Sequence, residues 1–186
     1  EIGLGIPAEP LFRSLELPLC ESHAEVLLMN VIGSAEDDAA MTNEITTPKM
    51  HAVSAGWQKR VNALADLFSQ IGEVPLPVEQ HLHGGVYSRT LLQKAGVVCA
   101  TALVRVPTQL IVSGHARIYC EDNVIEVKGY RVLEGLPGRQ MVVYTLEDTW
   151  ATCFFATQAK TVAEAEAEAV GEEVARCLTN HRLLEG

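Results

Sequence analysis

Between residues 86 and 157 the apolar positions come in short runs, each closed by Gly, Pro, Asn or Asp. Residues 86–92 alternate. Val86, Ser88 and Thr90 fall on one face, Tyr87, Arg89 and Leu91 on the other, as successive side chains of a strand must. Residues 97–106 are mostly apolar, and 110–114 lead into a further run at 116–120. Glu121-Asp-Asn123 reads as a turn, with 124–127 returning from it as a hairpin partner. Residues 130–133 form another strand-like run, and Gly135-Leu-Pro-Gly138 is a tight turn. Residues 141–146 and 150–157 complete the series. Strands this short and evenly spaced predict an all-β sandwich or barrel.

The flanks follow a different period. Val53, Trp57, Val61, Leu64, Leu67, Phe68 and Ile71 recur at spacings of three and four, which predicts an amphipathic helix with a stripe facing the core or a dimer partner. Thr46-Thr47-Pro48 can cap and open it and Gly72 can end it. Val74-Pro-Leu-Pro-Val78 is an extended connector, since each proline biases its predecessor away from helix. Residues 161–177 are rich in Ala and Glu, and Thr161 with Glu164 makes a capping box. Acidic residues crowd the first turns of this segment, which suits the helix dipole. The tail at 179–186 is expected to fray.

Residues 1–40 stand apart. Apolar stretches at 11–12 and 15–19 are broken by Pro10 and Pro18, and 26–32 is a short apolar run that fits either a strand or a helix turn. A polar linker at 33–40 then leads to Met41. From there the chain reads like a complete small protein. The segment is either an extension ahead of an original start or an ordinary arm lying on the barrel. The organisation expected is therefore an arm at 1–40, a helix at 41–73, a barrel at 74–160, and a helix and tail at 161–186. No internal repeat is visible.

Composition narrows the classes. The chain has 186 residues, 48% hydrophobic and 20% charged, enough for one domain with a core. Its formal net charge of −10 argues against nucleic acid and anionic membrane, both of which favour an excess of Lys and Arg. No run of about 18 apolar residues is present, and the first residues lack the basic and apolar regions of a signal peptide. Five widely spread cysteines, with no CxxC and no zinc-ligand spacing, fit a reduced cytoplasmic protein.

Several ordered stretches carry a resemblance to a known family. They are Val74-Pro-Leu-Pro-Val-Glu-Gln-His81-Leu-His83-Gly-Gly-Val-Tyr87-Ser-Arg89, Lys94-Ala-Gly96, Ile111-Val-Ser-Gly114-His-Ala-Arg117, Leu136-Pro-Gly138 and Val143-Tyr144-Thr-Leu-Glu147-Asp148-Thr149. Over about residues 74–175 the chain resembles the phage-type branch of the cupin superfamily. The resemblance implies a jelly-roll β-barrel with one flanking N-terminal helix and one acidic C-terminal helix. It also implies a metal held by two histidines and a glutamate on one strand pair after a glycine, with a third histidine beyond a Pro-x-Gly turn. Counted from Gly96, the first ligand positions fall near Ala102 and Val104, and the last falls on Met141. Thr108 replaces another, and no His, Asp or Glu lies between Gly96 and Gly114. These residues are poor ligands for a hard or borderline metal, so no cofactor is expected.

Other candidates are thinner. His81 and His83, two apart, share one strand face and could chelate a metal, though no third ligand is placed beside them. His115 is expected in a solvated turn, and so are Glu147 and Asp148. Arg89, Arg105, Arg117, Arg131 and Arg139 lie on different runs. If two of them point into the barrel they could bind an anionic ligand; exterior arginines balancing an acidic surface are the plainer expectation. Arg89, Arg105 and Tyr144 are the residues expected to touch a ligand. The resulting reading is a non-catalytic phage or prophage accessory protein, homodimeric, binding a partner protein or a small ligand in the host cytoplasm. The alternatives are an enzyme with an unusual site around His81 and His83, and a virion or assembly component.

Overall fold

The computed structural model of the protein describes residues 12–16, 21–33, 47–71, 74 and 76–175. Nine strands and three helices follow in the order β1 (Phe12–Glu16), α1 (Glu21–Ile32), β2 (Lys49–Met50), α2 (Ala55–Ile71), β3 (Val78–His83), β4 (Val86–Gln93), β5 (Val97–Thr101), β6 (Thr108–Tyr119), β7 (Val124–Gly135), β8 (Val142–Thr145), β9 (Thr149–Ala156) and α3 (Val162–Val170). Hydrogen bonding runs β1-β5-β8-β6-β9-β4-β3, with β7 on β6 and β2 on β7. Every pairing is antiparallel except the short β2–β7 bridge. This is the all-β, jelly-roll barrel with helical flanks that the strand pattern and the resemblance led us to expect.

The hairpin of β6 and β7 joins two facing sheets. The first half of β6 pairs with β9 and the second half with β8, while β7 accompanies it throughout. At the corner Gly114 faces Gly129, both with positive φ (144° and 79°). A Cβ on Gly114 would run into Thr149 and the Asp148 carbonyl, so only glycine lets the hairpin bend where the β8–β9 connection crosses it. The separate runs read from the sequence at 110–114 and 116–120, and at 124–127 and 130–133, are therefore two continuous strands. Their glycines bend the pairing without ending it.

Three apolar layers result. Inward residues of the two sheets, among them Cys99, Val112, Ile118, Leu133 and Val143, form the barrel core. Outward residues of the second sheet, Val98, Ala100, Val142 and Tyr144, meet α2 through Trp57, Val61, Leu64 and Phe68, and α1 through Leu28 and Ile32. The stripe read from the sequence is thus core-facing: Trp57 is 2% exposed and its Nε1–H donates to the Gln140 carbonyl at 2.9 Å. α3 lies over one end of the barrel on Tyr87 and Phe155, starting from the expected capping box at Thr161 and Glu164.

One local expectation is corrected and one ambiguity resolved. Pro48 does not open α2. Its carbonyl instead accepts from Glu134 N–H at 3.0 Å, and Lys49–Met50 pair with β7, because an edge backbone group needs a partner more than a helix needs an early start. α2 begins after Ser54, whose Oγ accepts from Trp57 N–H at 3.2 Å, the usual N-cap bond. The ambiguous run at 26–32 is helical and belongs to α1. Within the first forty residues β1 pairs with β5 and α1 packs on α2. The linker at 34–40 and the tail beyond 175 lie outside the described residues.

Candidate functional site

Period-two alternation carries one set of side chains from each strand into the space between the sheets. From β4 come Arg89, Leu91 and Gln93; from β5, Cys99 and Thr101; from β9, Thr149, Ala151 and Cys153. Val104 and Arg139 form an isolated bridge just beyond β5 and just before β8, with Val104 N–H donating to the Arg139 carbonyl at 2.9 Å. Both line the space, as does Met141 two residues on. They enclose a cavity of about 60 Å³, walled mainly by aliphatic groups. A cavity needs roughly 10–15 Å³ to hold one water, so this one has room for a small ligand.

The polar groups in this wall differ in how they are satisfied. Arg89 is answered by a carboxylate: its Nη1 lies 2.9 Å from Glu166 Oε1, with side-chain exposures of 11% and 1%. Gln80 and the Tyr87 hydroxyl also bond to Glu166, so β3, β4 and α3 are tied together behind the cavity. Burial, and then the Glu166 charge, push the Tyr87 phenol up to about 12. Arg139 has no such partner. It is 3% exposed; Nη2 reaches Cys153 Sγ at 3.6 Å, and neither Nε nor Nη1 meets an acceptor among the described residues. Burial pulls the Arg139 pKa below its ordinary value, while the Cys153 and Cys120 sulfurs beside it act the other way. The Gln93 amide nitrogen, on a side chain 2% exposed, is also a buried donor without an acceptor.

Gly135 makes the position of Arg139 possible. A Cβ there would stand 2.6 Å from Arg139 Cζ and Nε and 2.6 Å from Thr108 Oγ1. The Leu136-Pro-Gly138 turn, with Gly138 at φ 84° and its N–H on the Val104 carbonyl at 2.7 Å, then delivers the side chain inward.

Of the residues expected to touch a ligand, Arg89 lines the cavity; Arg105 and Tyr144 do not. Arg105 is exposed and lies over Gly171 at the end of α3, its backbone N–H on the Ala169 carbonyl at 2.7 Å. Tyr144 is buried in the layer shared with α2. His81 and His83 sit exposed on the edge strand β3, paired with Ser88 and Val86 on the face opposite Arg89. His115 is not the solvated residue expected: its side chain is 22% exposed and its Nε2 is 3.0 Å from Glu126 Oε1. Glu147 and Asp148 do lie in an exposed turn, where Lys94 and the Ala95 N–H hold the Asp148 carboxylate and lower its pKa.

Exterior arginines were the plainer expectation, but two, Arg89 and Arg139, face the cavity. Arg139 is missing from the expected contacts, although one signal pointed to it. Met141 was expected to face inward, and a residue two positions away in extended chain shares its face.

The lining does not suit a metal. Among the described residues it offers no imidazole or carboxylate, two guanidiniums face the cavity, and no group of three His, Cys, Asp or Glu gathers among the described residues. Nor is any helix of the described residues long and apolar enough to cross a membrane.

No protein-family model matches the chain, and no curated protein matches it. Solved structures similar to it include a cupin-2 domain protein from Shewanella frigidimarina, at TM-score 0.36 and 12% identity, covering 50% of this chain and 91% of that one. A cupin superfamily protein from Desulfitobacterium hafniense aligns at TM-score 0.39 and 12% identity, covering 47% and 82%. Salicylate 1,2-dioxygenase from Pseudoaminobacter salicylatoxidans aligns at TM-score 0.41 and 11% identity, covering 63% of this chain and 35% of its own. At scores this low the likenesses carry no argument about function, which rests on the residues of this chain.

Proposed function

We propose that the protein is a metal-independent binding barrel for a small organic carboxylate, with Arg139 as its anchor. The observation that carries this reading is the sign of the unmet groups in the cavity wall. Arg139 Nε and Nη1 and the Gln93 amide nitrogen are all donors. Buried donors without acceptors are strongly unfavourable, and a buried cation without a counter-charge more so. An acceptor-only ligand removes both penalties, and a guanidinium offers a planar carboxylate two parallel bonds. The aliphatic walls suit a short carbon skeleton, the usual division of labour in a small-molecule site.

The setting we infer is the one the sequence resemblance implies: a non-catalytic phage or prophage accessory protein, homodimeric, in the host cytoplasm. Light scattering on the full chain tests the dimer.

The binding reading is tested by thermal unfolding with propionate and with its neutral isostere propionamide at constant ionic strength. Propionate at a hundredfold excess over its Kd is expected to add about 2.7 kcal/mol, and propionamide nothing. Equal effects of the two compounds would remove the reason for assigning an anion.

A further inference from the structure

Cys153 shares the cavity with Arg139. Its Sγ lies 3.6 Å from Arg139 Nη2, and both line the same space. Cys153 is half-buried. A cation beside a sulfur in a cavity wall is a surrounding in which cysteines act as nucleophiles. The cysteine alone would mean little. What points to a ligand is the neighbouring guanidinium, buried and with two nitrogens unmet, which would hold a carboxylate within a few bond lengths of the sulfur.

We propose that Cys153 and Arg139 together form a covalent capture site for small carboxylates whose adjacent carbon is electrophilic. This rests on the reading of Arg139 as a carboxylate anchor. The guanidinium binds the carboxylate and turns the neighbouring carbon toward Sγ. The thiol gives its proton to water, since none of the residues lining the cavity is His, Asp or Glu. A sulfur electron pair forms the S–C bond, and the bond from that carbon to its leaving group breaks, the group departing with its electron pair. With a 2-halo acid the products are a carboxymethyl-type thioether on Cys153 and a halide ion. No oxidant or reductant takes part.

The test compares iodoacetate with iodoacetamide on the full native chain, with the modified cysteine located by peptide mass spectrometry. Each rate is referred to the same cysteine in the urea-unfolded chain, which removes the intrinsic difference between the reagents. The iodoacetate-to-iodoacetamide ratio at Cys153 is expected to rise about tenfold or more on folding, the scale of one hydrogen bond to a charged group. It should return to the unfolded value in Arg139→Gln, shown to be folded by circular dichroism. Propionate, but not propionamide, should slow the iodoacetate reaction of the unmodified chain, a control that needs no variant. A ratio that does not rise on folding overturns the proposal, and so does a raised ratio that survives in Arg139→Gln. If propionate still stabilises the fold while the ratio stays flat, the capture site fails and the anchor stands. If propionate does neither, both fail.

Discussion

Arg139→Met separates a guanidinium kept for a ligand from one kept for the fold. Methionine preserves most of the length and the methylene packing of arginine, and its flexible thioether adapts to the cavity. The substitution deletes a charge that is 3% exposed and has no carboxylate partner among the described residues. Its direct loss is the weak Nη2 contact to Cys153 at 3.6 Å; the bond from Val104 N–H to the Arg139 carbonyl is backbone and stays. Replacing buried charge by apolar groups of similar volume is neutral or stabilising by about 1–4 kcal/mol. Because the cation here meets no counter-charge among the described residues, a gain of about 1–3 kcal/mol is expected without ligand, or about 2–12 °C in Tm for a chain of this size. The assay is urea and thermal unfolding of both proteins in a buffer free of carboxylates, then again with propionate. The unmodified chain should gain stability with propionate and the variant should not. If Arg139→Met is destabilised by more than about 1 kcal/mol without ligand, the guanidinium is satisfied within the fold and the argument from unmet donors is wrong.

Gly135→Ala should have the opposite effect on stability. Its Cβ would meet Arg139 at 2.6 Å, so we expect a loss of about 1–3 kcal/mol from overpacking, together with a weakened propionate response; an unchanged response would show that Arg139 can bind from a displaced position. Trp57→Ala should lose about 3–5 kcal/mol, measured by urea unfolding, because a 2% exposed indole and its bond to Gln140 go together; a loss below about 1 kcal/mol would mean that α2 barely contributes to the fold. The Tyr87 phenol is held up to about 12 in the folded chain against roughly 10 when unfolded. The unfolded state therefore releases its proton first, and the contribution is whole below pH 10 and lost as pH rises toward 12. The loss is about 2–3 kcal/mol, seen by urea unfolding across that range and missing in Tyr87→Phe; identical pH profiles would refute the assignment.

Much of the architecture was legible because it depends on neighbours in sequence. The alternation along β4 put Tyr87, Arg89 and Leu91 on one face, and that face turns inward. The turn at 121–123 closes the β6–β7 hairpin. The three-four spacing from Trp57 to Phe68 marks the buried side of α2, and Thr161 with Glu164 marks the start of α3. Each signal is a period or a cap, set within a few residues.

What tertiary structure alone decided depends on partners far along the chain. Pro48 lost its expected role as a helix opener because the Glu134 N–H, remote in sequence, needed its carbonyl. Gly114 and Gly129 read as breaks until they were paired, when they became one corner. The cavity gathers Gln93 from β4, Arg139 from the turn before β8 and Cys153 from β9. No local pattern could show that the first two lack acceptors, since an unmet donor is defined by what every surrounding element fails to supply. The sequence alone showed that no His, Asp or Glu lies between Gly96 and Gly114. The packing of two sheets determined that a buried cation, Arg139, faces the cavity with two nitrogens unmet among the described residues.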